Sequence, residues 1–395
     1  MWYINGMIER ACIRHLKKLS QSFPVITITG PRQSGKTTLA KAIFSDKPYV
    51  SLENLDTLDF AERDTRGFLA LYEKGAVFDE AQRCPALFSY LQQIVDEGPQ
   101  HCRFVLTGSQ QFGLRSRITQ SLAGRSANYT LLPFTYNEVF GAKNIAKPDM
   151  ESVLFSGLYP PVHNRKPDPS TWYANYVENY IERDVRQLIN IHELRTFRLF
   201  IKMCASRCGQ LLNLSGLASD CGISVNTAKG WISVLEASYI IFLLQPYFGN
   251  FGKRLVKTPK LYFYDTGILS YLLSIQNAEM LSTHSMRGPI FESFVVTEIK
   301  KHISNKGKMD TLYFWRDQSG LEIDLVMETG EILKSAEIKS GKTISTDFFN
   351  GLLKWKRIVD KKAGSLYLIY GGEFAERRSE VEVIPWRNAE TVFEG

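Results

Sequence analysis

The run Gly30-Pro31-Arg32-Gln33-Ser34-Gly35-Lys36-Thr37, followed by Thr38, sets glycines, hydroxyls and one lysine at a spacing that suits the grip of phosphate oxygens. Glycines let the backbone turn tightly enough to aim its N–H groups at an anion, and a helix starting just after them adds the positive end of its dipole. Lys36 would reach the β and γ phosphates of a nucleotide, and the Thr37 hydroxyl would sit on Mg²⁺. Downstream, Ala76-Val77-Phe78-Asp79-Glu80 is an apolar strand that ends in paired acids. Asp79 is the expected metal-side carboxylate, and Glu80 is placed to orient and deprotonate an attacking water. Together these residues point to ATP and Mg²⁺ as cofactors and to phosphate hydrolysis as the reaction.

Two further residues could complete that chemistry. Phe104-Val105-Leu106-Thr107-Gly108-Ser109-Gln110 ends in polar residues, of which Ser109 is the candidate for touching the γ-phosphate or the water; capping the loop is its plainer role. Ser121-Leu122-Ala123-Gly124-Arg125 brings an arginine that could stabilise transition-state charge, within its own chain or in a neighbouring one, or make a surface salt bridge.

A second set lies near the C-terminus. Glu337 and Lys339, in Ala336-Glu337-Ile338-Lys339, stand two apart and so share one face of a strand, while Asp324, in Leu321-Glu322-Ile323-Asp324-Leu325-Val326, could meet them from a neighbouring strand. Carboxylates for Mg²⁺ beside an ammonium are what phosphodiester hydrolysis requires. A solvated acidic sheet face is the alternative.

The elements that must position these residues alternate between strand-like and helical stretches. Strand-like runs at Val25 to Thr29, Tyr49 to Leu52, Ala76 to Phe78, Phe104 to Thr107 and Tyr129 to Leu132, separated by room for crossover helices, predict an α/β fold with a mostly parallel sheet and helices on both faces. The stretch from Trp172 to about Arg207 reads as helical and aromatic. Two short helices around Gly222, then strands at Ile240 to Gln245 and Leu261 to Tyr264 flanking a basic loop with Lys253, Arg254, Lys257 and Lys260, have the layout of a winged helix-turn-helix. Its second helix offers only Asn226, Thr227 and Lys229 to a DNA groove, so DNA binding and domain packing are both open. From Gly288 the pattern is a helix, strands at Thr311 to Arg316, Glu322 to Met327 and Ser335 to Lys339, a helix at Phe348 to Val359 and a strand at Ser365 to Tyr370. The expected domains are 1–145, a P-loop ATPase; 146–285, a helical and winged-helix region; and 286–395, a second α/β module.

The loop at Gly30 to Leu39, with Phe78-Asp79-Glu80-Ala81-Gln82, Leu106-Thr107-Gly108-Ser109 and Leu122-Ala123-Gly124-Arg125, resembles the predicted AAA+ ATPases of bacteria and archaea that carry a C-terminal domain of unknown function. Tyr180-Ile181-Glu182-Arg183-Asp184 and Gly288-Pro289-Ile290-Phe291-Glu292 look like that family's linking motifs. The resemblance implies an ATP-binding fold and hydrolysis. The Asp324, Glu337 and Lys339 set is similar to the restriction-endonuclease-like superfamily, which implies a further acid on the preceding helix; Glu292 is the candidate and Glu298 the alternative.

Bulk properties narrow the classes. With 395 residues, 44% hydrophobic and 23% charged, the chain reads as a folded protein of more than one domain. A net charge of +7 is compatible with a polyanionic partner such as DNA. No run approaches the length of about 18 apolar residues that a spanning helix needs, and Glu9, Arg10, Arg14, Lys17 and Lys18 break up the start, so no membrane partner and a cytoplasmic location are expected. Cys12, Cys84, Cys102, Cys204, Cys208 and Cys221 are scattered without Cys-x-x-Cys spacing, which predicts reduced, buried thiols. Two readings share the ATP site. In one, ATP hydrolysis drives C-terminal parts that act on nucleic acid. In the other, ATP switches conformation or homo-oligomeric assembly, and an inactive nuclease-like scaffold binds a protein or DNA partner.

Overall fold

The computed structural model describes residues 3–4, 7–98, 102–108, 122–142, 145–181, 194–249 and 256–393. The chain divides into two compact units: Met1–Phe134 with Ala237–Tyr239 and Asn305–Gly307, and Thr135–Glu236 with Ile240–Ser304 and Lys308–Gly395.

In the first unit, Tyr3–Ile4 (β1) and Met7–Ile8 (β2) pair ahead of helix Ile13–Ser22 (α1). Then Val25–Thr29 (β3), Lys36–Ile43 (α2), Tyr49–Ser51 (β4), Leu55–Arg63 (α3), Thr65–Ala70 (α4), Ala76–Asp79 (β5), Ala86–Asp96 (α5), Phe104–Thr107 (β6) and Ser126–Thr130 (β7) alternate. The strands form one five-stranded sheet in the order β4-β5-β6-β3-β7, and every pairing is parallel. Both faces are covered, and the period of two along each strand decides which side chain goes where. Val25, Ala76, Phe78, Phe104 and Leu106 join a core with Ala61, Phe68, Leu87, Phe88 and Leu91 of α3, α4 and α5. Ile26, Ile28, Val77 and Val105 face the other way, onto Leu16 of α1 and Leu39 and Ala40 of α2. The first four of the expected strands begin at the expected residues. The last lies earlier, at Ser126–Thr130, because Ala127 and Tyr129 point inward while Ser126 and Asn128 dilute the apolar signal of an edge strand.

The second unit holds a mixed sheet of Leu312–Arg316 (β10), Glu322–Thr329 (β11), Ile332–Lys339 (β12), Ala363–Tyr370 (β13), Glu376–Arg378 (β14) and Val381–Pro385 (β15), after the pair Ile241–Leu244 (β8) and Lys260–Phe263 (β9). Its order is β10-β11-β12-β13-β15-β14. β12, β13 and β15 run parallel, and the remaining pairings are antiparallel. The helix Asn350–Val359 buries Leu352, Trp355 and Val359, and the Trp355 ring packs 4.6 Å from that of Trp315 while its Nε1 donates to Ser335 Oγ at 2.7 Å. Helices Leu214–Cys221 and Val225–Ala237 are joined through Gly222, whose φ of 65° suits glycine at a helix end. The strands β14 and β15 were not anticipated; β14 is fully exposed and carries no apolar pattern. Among the described residues no helix is long and apolar enough to cross a membrane.

All six cysteines are free and buried. Burial pushes the thiols of Cys102 and Cys208 up to about 12. At pH 8 each is then thiolate in about one molecule in ten thousand. Ellman's reagent is expected to leave both unmodified in the native protein and to label them only as denaturant unfolds the chain; rapid native-state labelling of either would contradict this burial.

Candidate active site

The phosphate loop is built by its two neighbours in sequence. β3 ends at Thr29, and Gly30 follows with φ 141°, a Cβ at that position falling 2.2 Å from the Leu131 carbonyl oxygen. The first glycine is therefore required by close approach of the adjoining chain. Gln33 (φ 60°) and Gly35 (φ 94°) turn the loop so that Gly35 caps α2. A Cβ on Gly35 would meet nothing within 4 Å, so this glycine opens a cradle. Lys36 is buried, and its Nζ donates to Gly30 O at 3.0 Å and Pro31 O at 2.8 Å. Ser34 is also buried, with no partner for its Oγ among the described residues. An open cradle, an orphaned hydroxyl and an ammonium against loop carbonyls fit a polyphosphate.

Asp79, at the end of β5, is buried and held by three donors. Thr37 Oγ1 reaches its Oδ2 at 2.8 Å, Tyr49 OH reaches the same oxygen at 2.6 Å, and Thr107 Oγ1 donates to Oδ1. This convergence follows from strand order, since β6 lies between the loop strand β3 and the acid strand β5 and delivers Thr107 beside the carboxylate. Glu80 follows in left-handed conformation (φ 53°, ψ 44°), half-buried, and accepts a hydrogen bond from Gln82 Nε2. Thr37 with Asp79 suits Mg²⁺ held through a hydroxyl and a carboxylate-bound water shell.

The second set assembles inside the other unit. Lys339 Nζ lies 2.7 Å from Glu337 Oε2 and 3.8 Å from Asp324 Oδ2, and Asp324 Oδ2 also accepts from Ile338 N at 2.8 Å. Glu292, on the helix Arg287–Asn305, accepts from Lys260 Nζ at 3.1 Å and from Tyr262 OH. Lys260 also pairs with Glu322. Burial opposes the charge on Lys260, but Glu292, Asp324 and Glu322 outweigh it and hold its pKa above the usual lysine range. Burial pushes the Glu337 carboxyl well up, with Asp324 adding to the shift and Lys339 opposing it. Among the described residues no group of three or more His, Cys, Asp or Glu side chains is arranged to hold a metal ion.

Known proteins bear on both sets. Residues 22–140 match a family model described as an AAA domain, while 147–279 and 287–389 match two domains of unknown function, DUF8612 and DUF4143. The uncharacterized protein Rv2008c of Mycobacterium tuberculosis is 30% identical over 374 residues, spanning 93% of this chain and 81% of its own length. The uncharacterized protein Mb2031c of Mycobacterium bovis matches to the same extent. The chain belongs to the family of these mycobacterial proteins. Its first unit is an AAA-type P-loop module, a fold that supports nucleotide binding and hydrolysis. Among solved structures, the Walker-type ATPase PABY2304 of Pyrococcus abyssi is similar with a TM-score of 0.46 at 14% identity, over 67% of this chain and 96% of that one. RuvB of Thermotoga maritima is similar with a TM-score of 0.31 at 18% identity, over 58% and 85%.

The structure brings Gly30 to Thr37, Asp79 and Glu80 to one end of the parallel sheet; Thr38 follows on α2, exposed. Ser109 lies outside the described residues, as do Glu182, Arg183, Asp184, Lys253 and Arg254. Arg125 is at the opposite end of the sheet from its own loop: its carbonyl accepts from Val25 N at the start of β3, roughly 16 Å of strand before Gly30, and its guanidinium pairs twice with Asp96. Glu292, Asp324, Glu337 and Lys339 come together, whereas Glu298 turns instead to Lys301 Nζ at 2.9 Å and Tyr136 N at 2.6 Å. Lys260 is buried in the carboxylate cluster, so it is no phosphate contact of an exposed basic loop. Thr107, Tyr49, Gln82, Lys260 and Tyr262 were not singled out as parts of these sites; Thr107, as the last residue of a strand beside the loop strand, was the one within reach of pattern reasoning.

Replacing Lys260 with Met would leave the half-buried Glu292 without its cation, while Glu322 keeps Arg316 Nη1 at 2.9 Å. A loss of about 3–5 kcal/mol at pH 7 is expected in urea unfolding. Burial raises the Glu292 carboxyl, and protonation relieves a carboxylate stranded without its cation, so the deficit shrinks as pH falls. An equal deficit at pH 7 and pH 5 would show that the ion pairing is not its source.

Proposed function

We propose that the chain hydrolyses ATP with Mg²⁺ at the loop between β3 and α2. The observation that carries this reading is the carboxylate of Asp79 bound to Thr37, the residue expected to hold the metal, with Glu80 next in sequence and oriented by Gln82. Lys36 exchanges its two carbonyl acceptors for phosphate oxygens, and the loop N–H groups with the Ser34 hydroxyl hold the rest of the polyphosphate. Thr37 and Asp79 hold Mg²⁺, which when bound supplies charge neutralisation on the transferred phosphate. Glu80 accepts a proton from the attacking water at a carboxylate oxygen. Arg125 is spent on Asp96 and serves as a structural ion pair. Residues 1–145 form the ATP module in this reading, 146–285 the helical and winged-helix region and 286–395 the nuclease-like part.

For that last part, catalytic action on nucleic acid through Glu292, Asp324, Glu337 and Lys339 competes with a second reading, a nucleotide-dependent switch whose nuclease-like scaffold binds a partner without cutting it. Lys260 favours the second. Its ammonium already pairs with Glu292 and Glu322, Arg316 also pairs with Glu322, and Lys339 pairs with Glu337 and Asp324, so a divalent cation entering there competes with bound cations for every one of these carboxylates.

Lys36→Ala is expected to abolish nucleotide binding or turnover, while Glu80→Gln keeps binding and stops turnover, by at least about 100-fold in a phosphate-release assay. Wild-type turnover in Glu80→Gln would remove Glu80 from the base role. Arg125→Ala should keep turnover within about twofold, since a transition-state arginine would cost about 10³-fold or more. The full chain with Mg²⁺ and ATP should leave single- and double-stranded DNA and RNA intact; cleavage that disappears in Asp324→Ala would establish the nuclease reading instead.

A further inference from the structure

Tyr49 stands at the start of β4, where Ser51 is the residue level with Asp79 across the parallel pair. It is thus a diagonal neighbour of Asp79, on the same face, across a gap that a long aromatic side chain can span. Its hydroxyl lies 2.6 Å from Asp79 Oδ2. Lys41 of α2 covers the face of its ring, with Nζ 3.6 Å from the ring centre. The phenol is therefore fixed between the helix that follows the phosphate loop and the strand that ends in the acid. Burial, and then the bond to Asp79, push the phenol well above its usual pKa, so it is a proton donor throughout the neutral range.

An ionised carboxylate offers about four lone-pair sites. Thr37 and Tyr49 take those of Oδ2, and Thr107 takes one of Oδ1. We propose that Tyr49 is a positioning residue for nucleotide-bound Mg²⁺: by occupying Oδ2 it fixes the Asp79 carboxylate so that the remaining Oδ1 site is the one offered to the metal's water shell. The role rests on the reading of Asp79 as the metal-side carboxylate. Without the phenol, Thr107 and Thr37 still bind Asp79, but the carboxylate regains a rotational freedom that each metal-binding event must remove.

Tyr49→Phe keeps the ring and its contact with Lys41 while deleting the donor. The affinity of the full-length protein for a fluorescent ATP analogue is measured in EDTA and across a Mg²⁺ titration, with Asp79→Asn as the control. In EDTA the Tyr49→Phe variant should bind within about twofold of wild type, because the phosphate loop is untouched. Its half-saturating Mg²⁺ concentration should rise about tenfold, the size of one charge-assisted hydrogen bond. An unchanged Mg²⁺ requirement in Tyr49→Phe, with a raised one in Asp79→Asn, overturns the role of Tyr49 alone. If Asp79→Asn also leaves the requirement unchanged, Asp79 is not the metal-side group and the ATP-site reading fails with it.

Discussion

A buried carboxylate needs hydrogen-bond donors for its oxygens, and Asp79 is where this constraint shapes the first unit. Its donors come from three elements, the helix after the loop (Thr37), the edge strand β4 (Tyr49) and the inserted strand β6 (Thr107). The order β4-β5-β6-β3-β7, with β5 between β4 and β6, puts all three within reach. Were β3 and β5 adjacent, Thr107 could not lie between loop and acid. The aromatic packing of Phe78 between Phe68 and Phe104, with ring centres 5.6 and 6.0 Å away, fixes β5 against its helical cover just before Asp79 and so limits how far the carboxylate can drift.

The second unit meets the same constraint with the opposite outcome. Glu292, Glu322, Asp324 and Glu337 are answered by the ammonium groups of Lys260 and Lys339, carried on strands of two different sheets. Each pairing offsets part of a desolvation cost that no single hydrogen bond would cover. Lys260 comes from β9, far in sequence from the carboxylates of β11 and β12, so the cluster ties the two-stranded sheet to the six-stranded one.

Much of the first unit could be read directly from residue order. A loop of fixed spacing after an apolar strand and before a helix is a local pattern, and Gly30 to Thr37, Asp79 and Glu80 depend on little else. The contributions of Tyr49 and Thr107 depend on strand register and strand order, which are set by tertiary pairing and leave no mark in local sequence. Arg125 shows the same limit from the other side. Its neighbourhood in sequence suggested the nucleotide, but pairing of Ser126 with Val25 carries it to the far end of the sheet. Lys260 read as one of several basic loop residues because sequence shows its charge and not the acids that bury it.

The two sites differ in how far the chain satisfies itself, and that difference bears on what each can do. In the first, among the described residues, a buried Ser34 hydroxyl has no partner, the Gly35 Cβ position is open and Asp79 accepts from three side chains where about four acceptor sites are offered. Polar capacity left unfilled in a buried place is a cost to folding, of the order of 1–3 kcal/mol per group, which a ligand recovers on binding. In the second, ammonium and carboxylate groups consume one another, and a cation entering there must first displace a lysine from partners that already hold it charged. The same chemical inventory of acids and lysines thus yields one set that leaves polar capacity open and one whose acids and cations pair with one another.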